Sequence, residues 1–227
     1  MKTLCRLPQR AIQTLVTITT DDARLDGDLH LPQDSSGIVL FVYGSGSNRH
    51  SPRNQLVART LREAGMGTLL FDLMTKEEEA ENGKAGAPTF NLDLLAKRVV
   101  GVTRWLEKHP AASRLKVGYF GARTGSAAAL MAAAELGDRV SAIVSRGGRP
   151  DLAGPVLRRV RSSTLLIVGS CDCIVGALNQ DAFNLLSCEK DFRTVRGATH
   201  LFAEPGKLEQ VAQLSADWFH RYMGGGQ

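Results

Sequence analysis

No apolar run in this sequence is long enough to cross a bilayer. The longest, Ala127 to Ala134, falls far short of the roughly 18 residues that a membrane helix needs, as does Leu165 to Val168. The N-terminus, Met1 to Arg6, carries charge but no apolar stretch behind it of the kind a secretory signal uses, so a cytoplasmic protein without a membrane partner is expected. Cysteine is scarce. Cys5, Cys171, Cys173 and Cys188 are too few and too irregular for a disulfide framework and read as reduced thiols. Cys171 and Cys173 lack a second Cys or His pair at zinc spacing, so no metal site is expected. Aromatic residues make up 6% of the chain, and the basic residues are scattered, with only Arg158-Arg159-Val160-Arg161 forming a run. A net charge of +5, with 20 arginines among the 28 basic residues, therefore describes a solvated basic face and argues against a nucleic-acid partner.

The composition that remains is that of a soluble globular domain. At 227 residues, 43% hydrophobic and 22% charged, the chain is long enough for one domain with a substantial core, and it is neither collagenous nor disordered. Residues 11–19 alternate with period two and residues 23–31 provide a second strand, which predicts an antiparallel pair at the start. The pattern then changes. Ile38 to Tyr43 is continuously apolar between Gly37 and Gly44, as expected of a strand buried on both faces. Ser51-Pro52 reads as a helix start with a capping residue, and Gly65 as its end. The cycle repeats with strands at 68–71, 116–120, 140–145, 164–168 and 192–195, and helices at 90–108, near 124–136, at 176–187 and at 206–223. Regular alternation of this kind predicts a three-layer α/β fold with a mostly parallel sheet and a ligand site at the carboxyl ends of its strands. The acidic stretch 74–89, with Glu77, Glu78, Glu79 and Glu81, reads as a solvated loop or a flap over that site.

Three segments carry the chemistry. The strand at 116–120 runs into Gly121-Ala122-Arg123-Thr124-Gly125 and then an alanine-rich helix, the setting of the G-x-S-x-G turn that presents a nucleophile above a sheet. Asp172 follows the strand at 164–168, and His200 follows the last strand. The order of elbow, acid and histidine is that of α/β-hydrolases. With the segments Gly44 to Asn54, Thr68 to Leu73, Gly118 to Ala122, Ser145 to Asp151 and Ala198 to Phe202, the sequence resembles the dienelactone-hydrolase-like family of the α/β-hydrolases from about residue 11 to 223. The resemblance implies an eight-stranded sheet, no cofactor, and hydrolysis of an ester or lactone by a nucleophile, a histidine and an acid. It also implies an oxyanion hole from the backbone N–H of Thr124 and one from the loop around Ser45.

Two positions depart from that pattern. Arg123 stands where the family has serine or cysteine, and Tyr43 where it has histidine. A guanidinium stays protonated and has no lone pair with which to attack a carbonyl, so the acyl-enzyme route lacks its first atom. Arg123 with Arg146 and Arg149, and Arg53 near the glycine-serine loop, makes an anion site one expectation; ion pairs with Asp72 or Asp151 are the competing one for Arg53, Arg146 and Arg149. His30, His50, His109 and His220 read as surface or capping residues. Three functions remain open: an impaired hydrolase that binds a small anion; an active one in which Asp172 and His200 activate water, or Cys173, Ser126 or Ser45 attacks; and a partner-binding protein with a vestigial pocket. The expected ligand is a small-molecule ester, lactone or carboxylate, and the expected state a monomer or homodimer.

Overall fold

The computed structural model describes residues 11–44, 47–78, 80 and 91–224. Continuous apolar runs become the centre of one eight-stranded sheet. β1 (Ile12–Thr19) and β2 (Arg24–Leu31) pair antiparallel, and β2 continues antiparallel onto β4 (Gly67–Phe71). From β4 the sheet is parallel through β3 (Gly37–Tyr43), β5 (Lys116–Ala122), β6 (Val140–Arg146), β7 (Ser163–Gly169) and β8 (Lys190–Val195), in the order β1-β2-β4-β3-β5-β6-β7-β8. Every residue of β3 is buried, as its unbroken hydrophobicity predicts for a strand covered on both faces.

The side-chain period of two sends alternate residues of β3 into two cores. Ile38, Leu40 and Val42 pack with α2 (Leu92–Lys108), α3 (Gly125–Leu136) and α4 (Cys173–Leu185), while Val39, Phe41 and Tyr43 pack under α1 (Pro52–Glu63) and α5 (Lys207–Met223). These are the three layers of an α/β-hydrolase fold. Among the described residues, no helix is long and apolar enough to cross a membrane.

Several local details differ from the sequence reading. Ser51 occupies the N-cap of α1, with Pro52 following, but its side chain makes no capping hydrogen bond. α4 begins at Cys173, because Asp172 already takes the N-cap position. A 3-10 segment over Pro150–Arg159, broken at Gly154 and Pro155, has no counterpart in the sequence reading. Glu78 is no solvated charge: it forks onto Arg98 of α2 at 2.6 Å on each oxygen and accepts the Thr75 N–H. Glu79 and residues 81–89 of that acidic stretch lie outside the described residues.

Candidate active site

The register sets the ends of four strands in one row: Tyr43 of β3 lies beside Ala122 of β5, Ala122 beside Arg146 of β6, and Arg146 beside Ile167 of β7. Only Arg123 and Thr124 separate β5 from α3, so the chain must reverse within two residues. Arg123 accordingly has φ 54°, in the left-handed region that costs a non-glycine residue on the order of 1–3 kcal/mol. The turn is tight because its flanks have no side chains. A β-carbon at Gly121 would lie 2.7 Å from Ser126 Cα, and one at Gly125 only 2.2 Å from the Val42 carbonyl oxygen. This is the backbone of a nucleophile elbow with an arginine at its apex.

Acid and base meet across two loops. Asp172 Oδ2 lies 2.7 Å from His200 Nδ1, although 28 residues separate them. Neighbouring bonds hold both loops: the Cys171 N–H donates to the Ala198 carbonyl at 3.0 Å, and Gly197 N–H to Ser170 Oγ at 2.8 Å. Thr199 donates its N–H and hydroxyl to Glu204, and buried Phe202, at φ 55°, anchors the segment after the histidine. With Nδ1 engaged by the carboxylate, Nε2 is the ring nitrogen left to meet a ligand. The segment 147–149 joins this dyad to the elbow. A β-carbon at Gly147 would sit 3.8 Å from His200 Cε1, and the Arg149 N–H donates to the Arg123 carbonyl at 3.0 Å.

The arginines divide into two groups. Arg149 forms a forked bond to Asp151, with Nη2 to Oδ2 at 2.8 Å, so its guanidinium is spent on a local ion pair and the structure does not bring it into an anion cluster. Asp72 takes Arg49 instead of Arg53: it accepts from the Arg49 guanidinium, from Arg49 N–H at 3.0 Å and from the Tyr43 hydroxyl at 3.2 Å. Tyr43 thus ties the end of β3 to the residue after β4, and burial together with the Asp72 charge pushes its phenol pKa up. Arg146 is different. It is only 6% exposed, its Nη1 has no hydrogen-bond partner, and no carboxylate lies within ion-pair distance of it or of Arg53 among the described residues. Burial first, then the charges of Arg53 and Arg123, bring its pKa down to about 10.

The remaining candidates sort by accessibility. Ser126 is fully buried and accepts from Ser145 Oγ at 2.9 Å, so it cannot reach a substrate as a substitute nucleophile. Cys173 is exposed at the start of α4. The Thr124 N–H has no acceptor among the described residues, and its buried Oγ1 is also without a partner. Ser45 lies outside the described residues. No cluster of metal-ligating side chains occurs among the described residues. Sequence reasoning missed the Arg49 network and Ser170, because each acts through contacts between segments distant in the chain, and Glu204, whose bonds to Thr199 five residues away belong to no motif.

No protein-family model matches the chain. Two Mycobacterium tuberculosis proteins, from strains CDC 1551 / Oshkosh and ATCC 25618 / H37Rv, are each 51% identical over 204 residues; their names describe them provisionally as phosphoribosyl transferases. The match covers 90% of this chain and 45% of theirs, so the chain spans less than half the length of these relatives. Among solved structures, a dienelactone hydrolase from Anabaena variabilis is 48% identical over 95% of this chain and 100% of its own, with a TM-score of 0.91. An esterase of Pyrococcus furiosus shares the fold at a TM-score of 0.75 and 16% identity, over 94% of each chain.

Proposed function

The chain belongs to the dienelactone hydrolase family of the α/β-hydrolase fold, and within that family we propose that it is a member impaired in acyl-enzyme chemistry which uses the former acyl pocket to bind a small organic anion. The observation that carries this reading is Arg123 at the apex of an intact elbow, with φ 54°. A protonated guanidinium cannot open the carbonyl carbon of an ester or lactone. It can hold a carboxylate, and the Thr124 N–H beside it offers a further donor of the kind that serves an oxyanion. The phosphoribosyl transfer in the relatives' names we assign to the part of those longer proteins that this chain does not match.

One observation favours a second reading. The 2.7 Å contact between Asp172 and His200 is the arrangement in which a histidine accepts a proton from water, so slow hydrolysis without an acyl-enzyme is the alternative. Acetyl and butyryl nitrophenyl esters separate the two. The expected result is trace hydrolysis and no labelling by a fluorophosphonate. Efficient turnover that survives Arg123→Ala and disappears in His200→Ala would replace the binding reading with water attack.

A further inference from the structure

The charge balance of the pocket points to the class of ligand, an inference that rests on the anion-binding reading above. Arg146 stands at the end of β6 on the sheet face covered by α1, the face that also carries Tyr43 and Val144. Arg53 lies in the first turn of α1, and its charge reaches the Arg146 guanidinium. No carboxylate among the described residues compensates either one. Asp172, the acid of the site, is engaged by His200 and is not among the charges acting on Arg146.

Two helices add to the same field. α1 and α3 both begin at the carboxyl ends of adjacent strands, neither has an acidic residue in its first turn, and neither has a side-chain cap. Their free N–H groups behave as partial positive charges. The Thr124 N–H has no acceptor among the described residues, and the buried Arg146 Nη1 has no hydrogen-bond partner, so both are donors open to an oxygen. A buried, unpartnered guanidinium is costly to maintain unless something occupies it.

We infer that the ligand carries a phosphomonoester, held as a dianion between Arg53 and Arg146 at the amino ends of α1 and α3. A carboxylate brings one charge and two oxygens. A phosphomonoester brings a charge of about −1.5 to −2 at neutral pH and three acceptor oxygens, which matches two uncompensated guanidiniums and the backbone donors. Phosphate at helix amino ends is also the geometry that anion sites of α/β folds use in general.

The test titrates phenyl phosphate and inorganic phosphate, with benzoate and acetate as carboxylate counterparts, into the intact chain by calorimetry at fixed ionic strength. Phenyl phosphate is expected to bind at least about tenfold more tightly than benzoate. Arg146→Met and Arg53→Gln are each expected to weaken it roughly ten- to hundredfold, the loss of one charge-assisted hydrogen-bonding partner. Arg139→Gln, which removes an exposed charge elsewhere, is expected to leave affinity unchanged. Should Arg146→Met fail to fold, half-exposed Arg53 carries the test alone. Benzoate binding as tightly as phenyl phosphate, and still dependent on Arg146, would overturn the phosphomonoester and leave the anion receptor standing. Binding of neither class would overturn both readings. Equal weakening by Arg139→Gln would reduce the effect to nonspecific charge and overturn the site.

Discussion

Arg123 keeps the left-handed backbone of a nucleophile position while carrying a side chain unable to act as one. The strain is supported from outside the residue, by the close approach of Gly121 to Ser126, by Gly125 against β3, and by the Ser126 and Arg149 N–H groups on its carbonyl. A smaller side chain should therefore inherit the same turn. Arg123→Ser is expected to fold with little change in thermal stability and to raise hydrolysis of short-chain esters by at least about a hundredfold, since an activated nucleophile and its base act as a unit. The activity should fall again when His200→Ala is added. A well-folded Arg123→Ser with no gain on any ester or lactone would show that the pocket has diverged beyond the nucleophile, with Tyr43 the next position to test. Tyr43 itself shows how a residue legible in sequence as a departure acquires its meaning only from a neighbour: its hydroxyl turns to Asp72.

Among the elements, the junction between α2 and residues 75–78 buries a charge outside the site. Arg98 is 2% exposed and is held by Glu78, Asp22 and the Leu73 carbonyl. Its hydrogen bonds hold the Glu78 carboxyl below the usual carboxylate range. A depressed carboxylate contributes its stability fully above the unfolded value, near 4.5, and loses it as pH falls through the lower folded value. Glu78→Gln is expected to lower stability at pH 7 by about 1–2 kcal/mol, less than the loss of a fully buried pair because Glu78 remains 33% exposed. The decline of its melting temperature between about pH 5 and 3 should be shallower than that of the parent. An unchanged acid profile would mean that Asp22 and Leu73 hold Arg98 without Glu78. The sequence showed an acidic run and could not show this, because the partner lies 20 residues away on another element.

For the whole molecule, the decisive feature is that one sheet serves two cores. β3 sends alternate residues to each, so neither side can melt without unpacking the strands of the other. The two tryptophans report them separately: Trp105 of α2 packs on one core, and Trp218 of α5 on the other, donating its indole N–H to the Ser163 carbonyl at 3.1 Å. In the single-tryptophan variants Trp105→Phe and Trp218→Phe, fluorescence unfolding curves are each expected to coincide with the circular-dichroism transition of the same protein. A fluorescence curve that separates from its circular-dichroism curve would reveal two cooperative units within the sheet.

The sequence by itself determined the alternation of strand and helix, the parallel core strands, the glycine-flanked elbow, and the chain order of Arg123, Asp172 and His200. These are local signals, written in hydrophobic period, in residue size and in the impossibility of nucleophilic attack by a guanidinium. Tertiary structure alone decided which charges are compensated. Arg149, two residues from Asp151, closes an ion pair that its spacing permitted, whereas Arg49 takes Asp72 from across the loop and so leaves Arg53 without that carboxylate. Ion pairing depends on distance through space and on burial, and neither is encoded in the spacing of residues along the chain.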